Sequence, residues 1–345
     1  FTLSVGVAGF GDVGSSPAGI NCGATPGSGA CNSSYPMSTV VQLNATPYPG
    51  WEVTSWGAGG CSFGAHVCLV NMAAPRTINV TFSPIPHVPP LYTPLNDAYV
   101  GSVHAPLSRR VRFTWNPGGV PLGGPLTYDL QYSTDPGFAA NVTTVPGLTD
   151  TTFQVSADLP VSTLPPVGQR YYWRVRSCTT VLCSAYSPYY SVNVGRSDSD
   201  LDGDGYSELV VAAPKSDIGG IDNGKVYVYR GSPTGLSLAA SIVGAPREEL
   251  ATSLVTGDFN GDGFGDLVVG AKNNGETAEW AGKVSVYNGA ATLDVVPDLM
   301  IYGAWTELLG TGLAVGDVNS DGFDDLVVQS LAEVKLYHGA AAMDG

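Results

Sequence analysis

The sequence predicts an all-β protein. Of its 345 residues, 45 are glycine and 25 are proline, while only 13% are charged, and this composition favours turns and strands over helices. Apolar and polar residues alternate with a period of two in many short segments, for example Val41, Leu43 and Ala45 against Gln42 and Asn44, which is typical of half-buried strands. The C-terminal part repeats a unit of about 59 residues, the spacing expected of a repeat architecture.

The overall charge restricts the class of partner. The net charge is −15 with only 15 lysines and arginines, so a basic face for nucleic acid is not expected and cations are the more natural partners. No segment approaches the roughly 18 apolar residues that a transmembrane helix needs. The chain starts at Phe1 without an initiator methionine or a signal peptide, which fits a processed secreted chain or an excerpt from a longer one. Its length suggests two or three domains.

The cysteines occur in close pairs, each around a polar or glycine-containing stretch. Short disulfides that close hairpins are the simplest interpretation, and zinc is the alternative, although no pair has C-x-x-C spacing and the four histidines are scattered. Disulfides imply an oxidising, extracellular location. The pairs are Cys22/Cys31, Cys61/Cys68 and Cys178/Cys183.

Residues 1–83 read as short strands joined by turns rich in glycine, serine and proline. The order "SPAGINCG…C…VVQLNATPYPGWEVTSWGAGGC…CLVNMAAPRTINVTF" resembles the bacterial repeat modules related to the B-repeat of internalin-type surface proteins. That resemblance implies a small β module that acts as a stalk or spacer. We expect Trp51 and Trp56 to pack in its core and not to form a ligand platform.

A proline-rich segment, residues 84–97, predicts an extended linker. Residues 98–195 then show strands at the spacing of a β-sandwich. The pattern "VRFTW…YDLQYS…YYWRVRSC…CSAYS" is similar to fibronectin type III domains of secreted bacterial proteins. This similarity places Trp115 in an early core strand and residues 171–176 in a central one.

Three nine-residue loops carry the chemistry of the C-terminal part, residues 198–345. Each has oxygen-bearing side chains at positions 1, 3, 5 and 9, glycine at position 6 and a backbone carbonyl at position 7 as a further ligand. Ca²⁺ prefers six to eight oxygen ligands, and glycine permits the sharp turn that aims alternate side chains inward. The candidate ligands are Asp200, Asp202, Asp204, Tyr206 and Glu208 in loop 1 (200–208); Asp258, Asn260, Asp262, Phe264 and Asp266 in loop 2 (258–266); and Asp317, Asn319, Asp321, Phe323 and Asp325 in loop 3 (317–325).

The loops begin like an EF-hand but end differently. An EF-hand has its last acid at position 12 and is flanked by helices, whereas here the last acid is at position 9 and a "LVV" strand follows. Simple polar turns are one alternative, and Mg²⁺ is another, although Mg²⁺ prefers to keep its water ligands. Three recurrences of one four-ligand spacing favour about three Ca²⁺ sites.

Each repeat contains about four strands and one loop, as a propeller blade does. The segments "ATSLVTGDFNGDGFGDLVVGAK…GKVSVYNG" and "GTGLAVGDVNSDGFDDLVV…AEVKLYHG" resemble the FG-GAP repeats of integrin α-subunit propellers and their bacterial relatives. The resemblance implies a β-propeller that holds Ca²⁺ in its hairpin loops. Propellers close with roughly four to eight blades, so three repeats predict open edges that are completed either by more chain or by neighbouring molecules.

We expect that this protein is not an enzyme and has no catalytic residues. The sequence has no nucleophile elbow, zinc-protease helix, P-loop or dinucleotide fingerprint. The acidic residues that cluster in sequence belong to the three candidate metal loops. The sequence thus predicts a secreted bacterial, calcium-binding structural or adhesive surface protein. As a fibre protomer it would self-associate, and as an adhesin it would bind a surface protein or glycan. The alternative is a glycan- or protein-recognition module of a larger secreted enzyme.

Overall fold

The computed structural model describes residues 1–23, 29–57, 61, 65–104, 108–120 and 123–342. In this part of the chain, the regular secondary structure consists entirely of β-strands. The expectation of an all-β fold is therefore confirmed. In the same residues, no helix has the length and apolarity needed to cross a membrane.

The N-terminal module packs two sheets against each other. Its described residues form the strands β1 (Thr2–Ala8), β2 (Gly11–Ser16), β3 (Asn21–Gly23), β4 (Gly29–Ala30), β5 (Asn32–Ser34), β6 (Val40–Pro47), β7 (Trp51–Gly57), β8 (Val67–Asn71) and β9 (Arg76–Pro84). The sheet orders are β5-β1-β9-β7 and β4-β3-β2-β6-β8. The predicted alternation holds in β6, where Val41, Leu43 and Ala45 are buried.

The two tryptophans of this module contribute to its core to different extents. Trp56 is 8% exposed and belongs to the buried cluster, whereas Trp51 is half-buried, packs against that cluster and contacts the exposed Phe10 ring at a centroid distance of 5.0 Å. Both positions agree with a packing role for the indoles.

The cysteines of each close pair are bonded to each other. The structure joins Cys22 to Cys31, Cys61 to Cys68 and Cys178 to Cys183. A zinc site would need these sulfurs as free thiolates. Since disulfides persist in oxidising compartments, the three bonds point to a secreted or surface protein.

The second unit is a sandwich of a three-stranded and a five-stranded sheet. Its strands are β10 (Leu91–Thr93), β11 (Ala98–Val100), β12 (Arg112–Trp115), β13 (Thr127–Ser133), β14 (Thr143–Leu148), β15 (Thr152–Gln154), β16 (Gln169–Cys178) and β17 (Tyr190–Val194). The orders are β10-β12-β15 and β11-β17-β16-β13-β14. Trp173 is fully buried in β16, and its ring lies 5.1 Å from that of Phe113 in the opposite sheet.

Strand β10 lies within the segment that the prolines marked as a linker. It pairs with β12, and the hydroxyl of Thr93 shares a 2.6 Å hydrogen bond with that of Thr114. Part of residues 84–97 thus belongs to the sandwich. Proline content did not reveal this because prolines are tolerated at the ends of edge strands.

The C-terminal residues form three small antiparallel sheets, which we call blades 1 to 3. Blade 1 contains β18 (Leu209–Ala213), β19 (Lys225–Arg230) and β20 (Ser237–Val243); blade 2 contains β21 (Leu250–Gly257), β22 (Asp266–Ala271), β23 (Lys283–Tyr287) and β24 (Leu299–Tyr302); blade 3 contains β25 (Gly312–Gly316), β26 (Asp325–Gln329) and β27 (Val334–Tyr337). Strands follow chain order in every blade. In the described residues, only blade 2 has the four strands that the sequence predicts for each repeat.

Apolar side chains between the blades hold them face to face. One buried cluster, which includes Val226 and Val269, joins blade 1 to blade 2, and a second, which includes Val286 and Leu326, joins blade 2 to blade 3. The three acidic loops connect to the strands at one end of this stack, immediately before β18, β22 and β26. The fold thus brings the loops side by side.

Candidate metal centre

The three loops have the same internal hydrogen bonds, although their sequences differ. The position-6 amide donates to Oδ2 of the position-1 aspartate at 2.8, 3.1 and 3.1 Å in loops 1, 2 and 3. The position-7 amide donates to Oδ1 of the position-5 aspartate at 2.9 Å in each loop. The position-6 glycines, Gly205, Gly263 and Gly322, have positive φ values of 91°, 89° and 94°. The repeated sequence pattern therefore encodes one repeated turn.

The position-9 acid connects the two ends of each loop. One of its oxygens accepts from the position-2 amide at 2.6, 3.0 and 2.9 Å. The other accepts from a glycine after the second strand of the hairpin, at 3.4 Å from Gly231, 2.9 Å from Gly289 and 3.0 Å from Gly339. A carboxylate oxygen has two lone pairs, so this acid retains acceptor capacity for a cation. The sequence identified the acid but not its hydrogen bonds to the backbone, which depend on the folded hairpin.

Loop 1 gathers three carboxylates around one point. Asp200, Asp202 and Glu208 are all buried, and each offers an oxygen within 4.8 Å of the others. Asp204 and Tyr206, at positions 5 and 7, are exposed. Without a cation, this arrangement places like charges close together in a poorly solvated site.

Two buried oxygens support the assignment of the loops to a cation. Asp200 is 2% exposed and Asp258 is fully buried, yet Oδ1 of each has no hydrogen-bond partner among the residues that the structure describes. Burial of an ionised oxygen without a partner is costly. A hard cation at the centre of the loop would satisfy both atoms, so the donor set fits Ca²⁺.

Burial raises the pKa of the acids in loops 1 and 2. Burial, reinforced by the charges of Asp266 and Asp262, raises the pKa of Asp258 to about 8. Burial is also the main cause that raises the pKa of Asp266 and of Glu208 to about 7, and that of Asp200 to about 6. These sites favour the neutral acid unless a positive charge is present.

Loop 3 differs in its electrostatics and exposure. Asp317 is half-buried, and Asn319 and Asp321 are exposed. Burial opposes ionisation of Asp325, but hydrogen bonds from the Val318 and Gly339 amides and from His338 outweigh it and lower the pKa of Asp325. The His338 Nδ1 lies 3.1 Å from Asp325 Oδ1. In loop 3, hydrogen bonds from other residues of the protein therefore stabilise the ionised carboxylate of Asp325.

Backbone hydrogen bonds also join neighbouring loops. The Gly265 amide of loop 2 donates to the Asp200 carbonyl at 2.9 Å, and the Asp324 amide of loop 3 donates to the Asp258 carbonyl at 3.1 Å. Oδ2 of Asp324 in turn accepts from the Asp258 amide at 2.8 Å. The position-1 aspartates of loops 1 and 2 are thus hydrogen-bonded directly to the loop that follows.

The sandwich covers part of the loops. The His104 ring stacks on Phe264 with a centroid distance of 3.9 Å, and its Nε2 lies 2.7 Å from the Asp262 carbonyl. The Val167 amide donates to the Gly261 carbonyl at 2.8 Å. These contacts fix the backbone of loop 2 from outside the blades, and nothing in the loop sequence indicated them.

Arg196 lies between the sandwich and the loops. It is 7% exposed, and its Nη1 donates to the Gly322 carbonyl. Its charge lowers the pKa of three nearby acids, Asp198, Asp258 and Asp324, but in each of them burial has the larger, opposite effect. For Asp198 the result is a pKa of about 7. Arg196 thus partly compensates the buried acidic charge next to loops 2 and 3.

A first prediction concerns the pH dependence of the metal-free protein. The pKa of Asp258 is about 8 in the folded state against 3.8 ordinarily. Between about pH 4 and about pH 8, the folded state therefore keeps a proton on Asp258 that the unfolded state has already released. With a chelator present, the free energy of unfolding of the blades is therefore expected to fall as the pH rises through this window.

Denaturant melts at about pH 5 and about pH 8 measure this slope. Saturating Ca²⁺ is the matched control, because Ca²⁺ favours the ionised acids and should remove the decline. Equal slopes with chelator and with Ca²⁺ would contradict the prediction.

Comparisons with known proteins agree with the repeat pattern. Residues 200–269 match the family model of the FG-GAP-like repeat. Integrin alpha-7 of Mus musculus is 34% identical over 147 residues, which are 39% of this chain and 12% of that protein. Phosphatidylinositol-glycan-specific phospholipase D of Bos taurus is 35% identical over 158 residues, 41% of this chain and 19% of that protein. The chain thus spans less than a fifth of the length of either relative.

Solved structures give a weaker likeness over a larger part of the chain. The FN1-FN3 domains of chicken CNTN1 cover 78% of this chain and 95% of their own, with 10% identity and a TM-score of 0.27. A score this low does not establish a common fold. The fibronectin type III and B-repeat resemblances of the first two units therefore remain predictions, whereas the FG-GAP resemblance is supported.

Proposed function

We propose that this chain is a non-enzymatic, calcium-binding structural or adhesive protein of the bacterial cell surface or surroundings. The repeated loop geometry carries this proposal: three loops share one hydrogen-bond pattern, and two of them hold a buried carboxylate oxygen without a partner. The family match to an FG-GAP-like repeat and the similarity to integrin alpha-7 support an adhesion or recognition role.

Calcium is the cation that suits these loops best. Side-chain oxygens at positions 1, 3, 5 and 9 and the carbonyl at position 7 give a donor set of oxygens only, as hard Ca²⁺ prefers. When bound, the ion would neutralise the charge of the buried acids that Arg196 and Arg230 leave uncompensated. The residues themselves hold the loop closed through the position-6 and position-9 hydrogen bonds, and their carboxylates serve binding and not proton transfer.

The sheet edges support the structural part of the proposal. Among the described residues, β18 has one strand neighbour, β19, and β27 has one, β26. Leu209 and Val211 in β18 are 46% and 39% exposed, and Val334 and Leu336 in β27 are 65% and 48% exposed. An apolar edge with unpaired backbone groups is a template for another strand. Further chain or a neighbouring molecule would complete these sheets, the latter giving a fibre.

A recognition module within a larger secreted enzyme is the second candidate. The similarity to phosphatidylinositol-glycan-specific phospholipase D favours it, because that relative matches this chain over only 19% of its length. The two candidate functions predict different association behaviour for the isolated chain. A structural protein shows regular self-association in negative-stain micrographs, whereas a recognition module stays monomeric and is retained on a glycan or protein array.

Isothermal titration calorimetry with Ca²⁺ tests the calcium function. We expect about three sites in the wild-type chain, as Ca²⁺ loops of this ligand count bind measurably. Replacing the position-1 aspartates by asparagine removes charge but keeps a hydrogen-bond acceptor, so the triple variant D200N/D258N/D317N is expected to lose most of the binding heat. The exposed Asp150 gives the control D150N, which should titrate like the wild type. No Ca²⁺ heat in the wild type would overturn the proposal.

A further inference from the structure

The residue before the glycine that closes each hairpin differs among the repeats. Arg230, Asn288 and His338 occupy this position in blades 1, 2 and 3. Position 3 of the preceding loop differs in parallel, because loop 1 has Asp202 where loops 2 and 3 have asparagine. The arginine and the extra acid therefore occur in the same repeat.

The structure brings these two residues together. Nε of Arg230 lies within ion-pair distance of Oδ2 of Asp202, although this buried oxygen accepts no hydrogen bond from the residues that the structure describes. The Asp202 side chain is 2% exposed, whereas that of Arg230 is 45% exposed. Asp202 is also one of the three acids whose oxygens lie within 4.8 Å of one another. A buried candidate ligand is thus paired with a side chain of which nearly half is exposed to solvent.

Loops 1 and 2 have the same net charge when the residue before the closing glycine is included. Loop 1 has four acids (Asp200, Asp202, Asp204 and Glu208), and Arg230 brings their sum to −3; loop 2 has three acids (Asp258, Asp262 and Asp266) and the neutral Asn288, which also gives −3. The arginine therefore cancels the charge that the additional aspartate introduces.

We propose that Arg230 is an intramolecular cation that competes with Ca²⁺ for Asp202 and thereby lowers the Ca²⁺ affinity of loop 1. This inference rests on the calcium function proposed above. Ca²⁺ entry requires the guanidinium to give up Asp202, and the exposed side chain then extends into water. The residue before the closing glycine sets the affinity of its own loop.

The expected effect follows from the charge alone. At the dielectric constant of water, a unit charge about 6 Å from a divalent ion changes its binding constant about tenfold. Arg230→Asn, which copies the residue of blade 2, should therefore tighten Ca²⁺ binding in loop 1 about tenfold at low salt, and less at high salt. The reverse change, Asn288→Arg, should weaken loop 2 by a similar factor.

Loop 1 offers a reporter that the other loops lack. Its position-7 residue is Tyr206, whereas loops 2 and 3 have phenylalanine there. Tb³⁺ replaces Ca²⁺ in oxygen-rich sites and luminesces when a tyrosine next to it is excited. The Tyr206→Phe variant identifies the share of the signal that comes from loop 1. The Ca²⁺ concentration that displaces half of this share measures the affinity of loop 1.

Matched variants separate local competition from other effects. Arg230→Lys keeps the charge and should leave the affinity within about twofold of the wild type. The exposed Arg76 lies in the N-terminal module, so R76N makes the same change in total charge and should have no effect. The double variant D202N/R230N gives loop 1 the position-3 and hairpin residues of loop 2, and should return the affinity close to that of the wild type.

The outcomes distinguish this inference from the function on which it rests. A tighter loop 1 in R230N together with near-wild-type affinity in D202N/R230N supports competition. Unchanged displacement in R230N, while the wild type binds Ca²⁺ normally, overturns the inference and leaves the calcium function intact. Absence of Ca²⁺ binding in the wild type, measured by calorimetry, overturns both.

Discussion

Removing calcium is expected to lower the melting temperature of the three blades by about 15 °C or more. A ligand at about 100 times its dissociation constant stabilises the folded state by about 2.7 kcal/mol per site, so three sites contribute about 8 kcal/mol. For a unit of this size, each kcal/mol shifts the melting temperature by about 2–4 °C. The effect is large because loops 1 and 2 hold buried acids whose pKa values are raised when no cation is present.

Differential scanning calorimetry in Ca²⁺ and in a chelator measures the shift. The N-terminal module is an internal control, because its core is a separate cluster closed by two disulfides, and its transition should not move. Mg²⁺ at the same concentration should restore less stability than Ca²⁺, since it gives up its water ligands reluctantly. A blade transition that stays in place in the chelator would exclude a structural role for the ion.

The loops were predictable because their information is local. Positions 1, 5 and 6 lie within a few residues of one another, and the hydrogen bonds that they form, such as Gly263 to Asp258 at 3.1 Å, close inside the turn. The position-9 acid was found as a candidate ligand, but its bond to a glycine 14 to 23 residues later depends on the length of the hairpin. Sequence reasoning therefore identified the acids but only part of what they do.

The surroundings of the loops were not predictable in the same way. His104 contacts Asp262 across 158 residues and Arg196 contacts Gly322 across 126, so both contacts depend on how the sandwich packs against the blades. The Arg230 and Asp202 pair was detectable in principle, because both residues depart from the other repeats within the same unit. Differences among the repeats of this chain thus mark residues that a single motif does not.

Replacing Arg196 by methionine is expected to destabilise the blades by about 2–3 kcal/mol in the absence of calcium. The change keeps much of the side-chain volume but removes the buried positive charge that lowers the pKa of Asp198, Asp258 and Asp324. Removing one partner of a buried charge pair typically costs about 3–5 kcal/mol. The value is smaller here because Arg196 acts on these acids through the proximity of its charge and because the acids can take up protons. Loss of the hydrogen bond to the Gly322 carbonyl adds to the effect.

The pH dependence of the R196M variant distinguishes loss of charge from loss of packing. Asp198 already has a raised pKa of about 7, and removing Arg196 raises it further, so the folded variant holds protons to a higher pH. The destabilisation relative to wild type should therefore be largest at about pH 8 and shrink at about pH 5, where the acids are largely neutral in the folded state. The exposed Arg76 gives the control R76M, for which no change is expected. A loss of stability in R196M that is the same at both pH values would show that Arg196 acts through packing, because only its charge makes the effect depend on protonation.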